Sequence, residues 1–342
     1  MSQTLHLDFS DPAGLSRAAT LLRDGGLVAF ATETVYGLGA NALSAEAVAG
    51  IFAAKKRPSW DPLIVHLASV EQLTQVAQVP AALAGRVSML AEAFWPGPLT
   101  LLLPRCSVLP DAVTAGRDLV GVRVPAHAAA RALLAAAGVP VAAPSANLFG
   151  HTSPTTAAHV LSDLDGRIDA VLDAGPTSIG VESTVLDPTQ TPMVLYRPGA
   201  VTAEQLTAVT GVAVEVFVPT TEAQPSSMPS PGVGIRHYAP RARLVLVGGS
   251  LSGLQAALAA AEAAARGGKI GVLLPEDWSL SGSAAIQRWG RWDDAEALAA
   301  GLFAGLRALD DQGVSVILCP LPEAGGIRDA IRDRLQKAAR LA

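Results

Sequence analysis

Short apolar runs alternate with amphipathic segments along this chain, and the alternation limits its possible folds more than any other feature. The strand candidates are 27–32, 63–67, 99–103, 119–124, 139–143, 168–173, 183–187, 193–197, 243–248, 269–274 and 314–319. Helical patterns lie at 12–24, from Ser44 to the AKKRP stretch, and at 81–93, 126–137, 155–163, 251–266, 295–310 and the C-terminus. Strands and helices mixed in this way predict an α/β protein in which helices cover a sizeable sheet.

The length and one change of texture predict two domains. At 342 residues the chain has room for about two cores. The segment from Val218 is rich in proline and serine and has no usable periodicity, so it reads as a linker. We therefore expect a first domain at 1–212, a linker at 213–240 and a second domain at 241–342. The regular strand–helix alternation of the last segment predicts a small parallel, doubly wound sheet.

Composition excludes several classes of protein. Half of the residues are hydrophobic, but proline, glycine or charge interrupts every apolar window of membrane-spanning length. The first residues show no secretory signal, so we expect a cytoplasmic protein without a membrane anchor. Only two cysteines occur, Cys106 and Cys319, and neither belongs to a CxxC pair. We expect no disulfide framework and no protein-bound metal.

The distribution of charge argues against nucleic acid as a standing ligand. Residues 1–240 hold 13 Lys and Arg against 19 Asp and Glu, a balance of −6, while 241–342 hold 12 against 11, a balance of +1. A protein that holds nucleic acid phosphates normally shows a basic excess. The chain has four lysines, of which Lys55 and Lys56 are adjacent. These observations favour a small anion that is bound locally.

The stretch TETVYGLGA at 32–40 follows a strand candidate and combines hydroxyls, Glu33, Tyr36 and two glycines. It lacks the third glycine of a dinucleotide fingerprint and the Gly-Lys-Ser/Thr of a P-loop. Two interpretations remain open from the residues alone. The stretch is either a turn that ends a strand or a turn whose polar groups face a pocket.

Two other stretches place cations beside apolar strands. In AKKRPSWDPLIVH, at 53–66, the cations either form a solvated helix end or stabilise a polyphosphate. His66 lies in an apolar run and is either a hydrogen-bonded core residue or a ligand contact. Arg123 interrupts the strand candidate 119–124, and a buried cation there requires an anionic partner. An internal carboxylate and a ligand carboxylate satisfy that requirement equally well.

Three further stretches carry small polar residues, APSANLFGHTSP at 143–154, GVESTVLD at 180–187 and LYRPGA at 195–200. Backbone amides and hydroxyls of this kind make cradles for phosphate and ribose oxygens. No GxSxG elbow surrounds Ser145 or Ser183, so the sequence does not favour hydrolase chemistry.

Taken in order, TETVYGLGA, KKRP, PSAN, GVEST and RPGA resemble the L-threonylcarbamoyladenylate synthase family over about residues 10–210. The catalytic part of that family is the YrdC-like domain. The linker that ends in RHYAP, and a second domain that closes with DRLQKAA, resemble its long two-domain form. The resemblance implies a twisted, open α/β sheet in the YrdC-like domain and a smaller Rossmann-like parallel α/β domain after the linker.

The resemblance also implies a reaction. L-threonine, bicarbonate or CO2, and ATP give threonylcarbamoyl-AMP and pyrophosphate, with Mg²⁺ held mainly by ATP oxygens. A separate tRNA threonylcarbamoyl-transferase complex then modifies the adenosine beside the anticodon of tRNAs that read codons beginning with A. Because both reactants are anions, the site must supply fixed positive charge and orientation.

Carried over by motif, the family's site falls on residues in three groups. Lys55 and Arg57 are the expected catalytic residues and triphosphate ligands, with Lys56 at the variable position. The expected threonine site is Thr34, His66, Arg123, Ala143 and Ser183. The other expected ATP ligands are Asp61, Leu119, Ser145, Asn147, Ser153, Arg197, Arg236 and His237. Leu119 stands where members of the family often have threonine, so its side chain offers no hydroxyl. The RHYAP segment is expected to form a lid over the nucleotide.

Two alternatives compete with this interpretation. One is a module that binds tRNA or double-stranded RNA without catalysis, against which the acidic balance argues. The other is a carbamoyl-adenylate former of the hydrogenase-maturation type, whose zinc fingers require CxxC pairs that this chain lacks.

Overall fold

The computed structural model describes residues 3–218, 227–231, 237–264 and 268–340. The chain divides into two compact units. The first unit comprises Met1–Phe149, Pro154–Ser178 and Glu182–Gly234, and the second comprises Gly150–Ser153, Ile179–Val181 and Ile235–Ala342. Two short segments within the predicted first domain therefore group with the second unit.

The first unit contains eleven described strands and seven described α-helices. The strands are β1 (Leu5–Asp8), β2 (Val28–Phe30), β3 (Gly37–Asn41), β4 (Ile64–His66), β5 (Leu99–Pro104), β6 (Leu119–Arg123), β7 (Val141–Ala142), β8 (Ala170–Asp173), β9 (Thr184–Asp187), β10 (Met193–Arg197) and β11 (Val214–Val216). The helices are α1 (Pro12–Arg23), α2 (Ala45–Lys55), α3 (Ala81–Phe94), α4 (Asp111–Thr114), α5 (Ala128–Ala137), α6 (Ala157–Leu164) and α7 (Ala203–Thr210). A 3-10 helix spans Val70–Gln75.

These strands form one mixed sheet in the order β1-β8-β2-β3-β7-β4-β6-β5-β9-β10-β11. Both of its faces are covered, because alternate residues of a strand point to opposite sides. On β2, Val28 and Phe30 pack in one apolar cluster with α1 and α5, whereas Ala29 packs in the other with α2. This arrangement confirms the predicted sheet covered by helices.

Local sequence signals explain where the helices begin and end. The carboxylate of Asp11 accepts a hydrogen bond from the Ala13 amide at the start of α1, and Ser44 accepts one from the Ala47 amide at the start of α2. Helix α2 ends where Lys56 adopts a left-handed conformation, with φ of 53°. Pro58, two residues further on, cannot continue the helix.

The TETVYGLGA stretch differs from the predicted turn. Only 31–36 is irregular, and Gly37–Asn41 continues as β3, antiparallel to β2. A Cβ atom on Gly39 would lie 2.9 Å from the ring of Phe30 and 2.9 Å from the Val141 side chain. Glycine permits this close approach of neighbouring strands, so the residue that indicated a turn instead allows a strand.

The second unit contains a separate, fully parallel sheet in the order β12-β15-β13-β14. The strands are β12 (Arg243–Val247), β13 (Ile270–Leu274), β14 (Ala285–Arg288) and β15 (Val316–Pro320), and the helices are α8 (Leu251–Ala264), α9 (Ala295–Asp311) and α10 (Arg328–Ala338). The predicted small parallel α/β domain is confirmed. Strand β14 was missed because its residues carry little apolar character.

No helix in the described parts of either unit is both long and apolar enough to cross a membrane.

Candidate active site

The strand directions bring five predicted or newly found polar residues to one edge of the large sheet. Strands β4 and β6 are parallel, and His66 and Arg123 are register partners at their carboxyl ends. Strands β5 and β9 run the opposite way, so Thr100 and Ser183 lie at their amino ends. Strand β10 is antiparallel to β9 and ends at Arg197. The strand order therefore brings together five residues that are far apart in sequence.

Lys55 is a buried cation held by backbone oxygens. It is the last residue of α2 and is 1% exposed. Its Nζ donates hydrogen bonds of 2.5 Å to the carbonyl oxygens of Ser145 and Asn147. Burial, and then the neighbouring Arg57, lower the pKa of Lys55 well below its usual value. Lys56 is exposed, as expected for the variable position of the motif.

Arg57 pairs with a carboxylate within its own loop. Its Nη2 lies 3.0 Å from Asp61 Oδ2, and both side chains are about 3% exposed. Its Nε and Nη2 also donate to the carbonyl oxygens of Asp61 and Pro62. The other oxygen of this carboxylate, Asp61 Oδ1, is buried and has no hydrogen-bond partner among the described residues. Burial raises the pKa of Asp61, although Arg57, Lys55 and Arg197 oppose that rise.

Arg123 pairs with an internal carboxylate, that of Glu33. This is one of the two kinds of anionic partner that the sequence allowed. The Nη2 of Arg123 donates to Glu33 Oε1 at 2.6 Å, its Nη1 to Thr34 Oγ1 at 3.0 Å, and its Nε to the Gly97 carbonyl oxygen at 3.1 Å. Arg123 is 3% exposed and Glu33 is 6% exposed. The positive charge is therefore already balanced before any ligand arrives.

His66 is neutral at physiological pH. Burial, then the charge of Arg123, lower its pKa to about 3. Its Nδ1 lies 3.3 Å from the Ile64 carbonyl oxygen, which favours the tautomer with the proton on Nδ1. In this tautomer Nε2 is a hydrogen-bond acceptor. Phe30 packs edge-on against the ring, with centroids 6.2 Å apart.

Ser183 and Arg197 form a second polar cluster. Arg197 is 4% exposed and donates from Nε to the Ser183 carbonyl oxygen at 2.9 Å and from Nη2 to Ser183 Oγ at 3.0 Å. Thr100 Oγ1 lies 2.8 Å from the same Ser183 oxygen. The charge of Arg197 also acts on the pKa values of Asp61 and His66. Arg197 therefore lies within electrostatic reach of both other clusters.

The loop that follows β7 is fixed by its backbone. The Ala143 amide donates to the Ile64 carbonyl oxygen at 2.9 Å, and Ser145 forms an isolated bridge with Gly37. Asn147 is fully buried and its side-chain amide donates to the Leu148 carbonyl oxygen. Two carbonyls of this loop are the Lys55 acceptors, so the loop and the end of α2 form one structure.

Three expected nucleotide ligands belong to the second unit or lie outside the described residues. Ser153 is fully buried, and its neighbour Thr152 accepts a hydrogen bond of 2.5 Å from Arg307 of α9. His237 is 6% exposed and packs against Tyr238. The Tyr238 ring in turn stacks on the ring of Phe303. Arg236 lies outside the described residues.

Leu119 lies at the other end of β6 from Arg123, about 13 Å away at the usual rise of a strand. Its side chain packs with Ile64, Leu102 and Val185 in a small apolar cluster. The structure does not bring it to the edge that His66 and Arg123 share, and its contact with a nucleotide stays a prediction.

Sequence reasoning missed two members of the site. Thr100 is the one hydroxyl residue in the apolar run LTLLL, and the structure buries it completely. A polar residue inside such a run is the signal that could have identified it. Glu33 was noticed in its motif but was not identified as the Arg123 partner, because the two positions are 90 residues apart.

The geometry suits the binding of anions more than acid–base chemistry. Arg123 and Arg197 are buried at the ends of strands, Lys55 and Arg57 are buried at the end of α2, and His66 is neutral. No group of three or more His, Cys, Asp or Glu in the described part of the chain could hold a metal ion. The unpartnered Asp61 Oδ1 offers a single carboxylate oxygen, which fits a cation that takes its other ligands from a substrate.

Comparisons with known proteins cover nearly the whole chain. The family model described as Telomere recombination matches residues 20–199, and the one described as Threonylcarbamoyl-AMP synthase, C-terminal domain, matches residues 201–340. The threonylcarbamoyl-AMP synthase of Bacillus subtilis is 44% identical over 339 residues, which cover 98% of this chain and 95% of the relative. That of Pyrococcus abyssi is 43% identical over 325 residues, with 94% and 93% covered.

A solved structure agrees with these relatives. The crystal structure of P. abyssi Sua5 complexed with L-threonine is similar to this chain with a TM-score of 0.88 and 41% identity. The match covers 99% of this chain and 98% of the other. Both units therefore take part in the similarity.

Proposed function

Since the chain belongs to the threonylcarbamoyl-AMP synthase family, we propose that it is a transferase that converts L-threonine, bicarbonate or CO2, and ATP into threonylcarbamoyl-AMP and pyrophosphate. Within that class we assign it as a nucleotidyltransferase. The observation that carries the assignment is that Lys55, Arg57, Arg123 and Arg197 are all buried cations. Arg197 links them, because its charge acts on Asp61, beside Lys55 and Arg57, and on His66, beside Arg123.

The reaction requires two bonds to form. The threonine amine adds to the carbon of CO2 with loss of a proton, or to that of bicarbonate with loss of water, and gives a carbamate. A carbamate oxygen then attacks the α-phosphorus of ATP, and the bond from that phosphorus to the bridging oxygen of pyrophosphate breaks. Because carbamate and triphosphate repel each other, fixed positive charge and exact orientation lower the barrier.

We assign the triphosphate to Lys55 and Arg57. Among the described residues the Lys55 ammonium contacts neutral carbonyls, so it gains more from an arriving anion than a cation already paired with a carboxylate. Arg57 adds a planar fork whose orientation Asp61 fixes. We assign the remaining nucleotide contacts to Asp61, Leu119, Ser145, Asn147, Ser153, Arg197, Arg236 and His237.

Threonine is assigned to Thr34, His66, Arg123, Ala143 and Ser183. Arg123 holds the α-carboxylate with the N–H groups that its internal contacts leave. Neutral His66 presents an acceptor nitrogen, which suits the hydroxyl or amine protons of threonine. Buried hydroxyls and an acceptor of this kind discriminate against an amino acid that lacks the threonine hydroxyl.

We propose Mg²⁺ as the divalent cation. Asp61 Oδ1 is the protein oxygen that fits it, and ATP oxygens supply the other ligands. When bound, Mg²⁺ neutralises charge on the phosphates. The residues of the chain do the rest: Lys55 and Arg57 orient the triphosphate, and Arg123 orients the amino acid.

The wider role follows from the product. Threonylcarbamoyl-AMP is a reactive mixed anhydride, and we propose that the RHYAP segment, with His237, shields it from water. We divide the chain into a catalytic domain at 1–212, a linker at 213–240 and a second domain at 241–342. The linker so defined begins with β11, which still pairs with β10 in the sheet of the first unit. A separate tRNA threonylcarbamoyl-transferase complex takes the product. Because ATP, threonine and tRNA meet in the cytoplasm, we place the reaction there.

The decisive experiment measures pyrophosphate release with ATP, Mg²⁺, bicarbonate and L-threonine. We expect release that depends on threonine and a product with the mass of threonylcarbamoyl-AMP. Release at the same rate without threonine would contradict the proposal. Tight tRNA binding that needs no ATP, with a steep salt dependence, would instead favour the RNA-binding module.

A further inference from the structure

We propose that Glu33 is a positioning residue for substrate binding: it orients the Arg123 guanidinium toward the carboxylate of the amino acid. This inference rests on the proposed function, because it concerns the threonine half of that site. Glu33 itself is not assigned a contact with any substrate.

The Arg123 guanidinium has more hydrogen-bond donors than its internal contacts use. An arginine guanidinium carries five N–H donors, one on Nε and two on each terminal nitrogen. In the described residues Arg123 spends three of them, on Gly97, Thr34 and Glu33. One N–H remains on each terminal nitrogen. Two N–H groups from the two terminal nitrogens are the set that binds a carboxylate in a bidentate manner.

The contact with Glu33 contributes most to the orientation of the Arg123 guanidinium. Of its three contacts, the one to Glu33 is the shortest, at 2.6 Å, and the only charged one among the described residues. Gly97 and Thr34 are neutral acceptors at 3.1 Å and 3.0 Å. The donor is ionised in all three hydrogen bonds, but the contact to Glu33 also pairs opposite charges, which attract each other strongly in a buried environment. Loss of the Glu33 contact therefore frees the guanidinium to rotate more than loss of either neutral contact.

Glu33 is itself held in place by further hydrogen bonds. Its other oxygen, Oε2, accepts a hydrogen bond of 3.3 Å from the His127 amide, and its carbonyl oxygen accepts one of 3.4 Å from Ser178. Burial alone would raise the pKa of Glu33, but the charge of Arg123 lowers it below its usual value. The carboxylate is thus ionised and anchored to the residue before α5, so it can serve as a fixed reference point.

Two physical effects of Glu33 on threonine binding have opposite signs. Its negative charge repels the substrate carboxylate, and removal of the charge would strengthen binding. Its positioning of Arg123 preorganises the donors, and removal would weaken binding. Positioning prevails here, because the buried guanidinium needs a partner in either state and would turn toward other acceptors without Glu33.

Glu33→Gln is the principal variant, because it keeps the shape and one acceptor oxygen but removes the charge. We expect a rise of about 10-fold in the KM and calorimetric Kd for threonine, as for loss of one charged hydrogen bond. The KM for ATP should change by less than about twofold, since among the described residues Glu33 contacts Arg123, His127 and Ser178 and none of the assigned nucleotide ligands. Glu33→Asp, which keeps the charge but shortens the reach, should lie between Gln and the natural protein.

Asp187→Asn is the matched control, because it also removes charge from a buried carboxylate in the first unit. Asp187 accepts hydrogen bonds from Thr189 and Gln190 within its own turn and does not contact an arginine among the described residues. We expect it to leave both KM values within about twofold. Because any unfolding lowers the active fraction rather than KM, the split between the two substrates separates positioning from damage to the fold.

The outcomes are distinct. Tighter or unchanged threonine binding in Glu33→Gln, or equal losses for threonine and ATP, overturns the inference. In an Arg123→Lys background, Glu33→Gln should add less than it does alone, and full additivity also overturns it. Calorimetric titration of threonine needs no turnover. A natural protein that binds threonine without forming product would therefore refute the proposed function and still test Glu33.

Discussion

Two pairs of buried cations, one pair in each unit, differ in where their partners lie along the chain. In the first unit Arg123 pairs with Glu33 and Lys55 with Ser145, each across 90 residues, while Arg57 pairs with Asp61 four residues on. In the second unit one carboxylate on α10, Asp333, pairs with its neighbour Arg334 and with Lys337 four residues on. A local network stabilises its own helix or loop, whereas a long-range network fixes the relative positions of several strands and loops. The long-range contacts are the ones that bring distant parts of the chain into one site.

Lys55 should give the largest effect on turnover. Lys55→Met removes the buried ammonium but keeps an unbranched side chain. We expect kcat/KM for ATP to fall by about 100-fold or more, as when a fixed group that stabilises developing charge is removed. The measurement is pyrophosphate release.

Lys56→Met is the control for Lys55, because it changes the adjacent, exposed lysine. We expect less than about a twofold loss. If both variants lose activity equally, the long-range contacts of Lys55 have no special role, and the contrast between the two kinds of network fails.

Arg123→Lys should give the next largest effect. Lysine keeps the charge but loses the planar fork, so the KM for threonine should rise by about 10- to 100-fold while the KM for ATP stays nearly constant. Initial rates measured while each substrate is varied in turn provide the test. Equal changes in both KM values would mean that Arg123 only supports the fold.

His66 predicts a dependence of stability on pH. The pKa of His66 is about 3 in the folded protein and near 6.5 in the unfolded chain. Between these two pH values the unfolded chain binds a proton that the folded chain excludes, so protonation favours unfolding. The effect of His66 on the free energy of unfolding is absent above pH 6.5 and becomes more destabilising as the pH falls below that value. At pH 5 it amounts to about 2 kcal/mol.

Denaturant unfolding at pH 7 and pH 5 tests this prediction, with His66→Gln as the comparison because glutamine does not titrate. The natural protein should lose about 2 kcal/mol more than the variant between the two pH values. Parallel losses would show that His66 already binds a proton in the folded state.

Lys337 should give the smallest effect on turnover. Lys337→Met breaks an ion pair in the second unit, but Asp333 keeps Arg334 as a partner. We expect a loss of about 1 kcal/mol in the free energy of unfolding and less than about a twofold change in kcat/KM. A large loss of turnover at unchanged stability would show that this local network does reach the chemistry.

The sequence predicted the strands and helices better than the contacts between them. Apolar runs marked β4, β5, β6 and β10 to within two residues at each end, because burial on both faces leaves a clear signal. Strand β3 escaped notice, because its two glycines looked like a turn and their role depends on Phe30 and Val141 of neighbouring strands.

The site shows the same limit. The motifs marked Lys55, Arg57, Arg123 and Arg197 through their chemistry and their resemblance to a family. The partner of Arg123 could not be read from the sequence, since an internal carboxylate and a ligand carboxylate fit equally well and only the packed chain brings Glu33 within 2.6 Å. Thr100 was hidden by its apolar neighbours.

The strand order also bears on how the chain is made. Strand β8 lies between β1 and β2 and is parallel to both, yet it begins 140 residues after β2 ends, at Ala170 against Phe30. At about 5–20 residues per second, the first two strands wait on the order of 10 s for their partner on the ribosome. The edges of β1 and β2 that β8 later covers are unpaired throughout that interval and expose backbone to other chains. Expression yield in cells should therefore respond to chaperone supply and translation speed more than the stability of the finished protein would suggest.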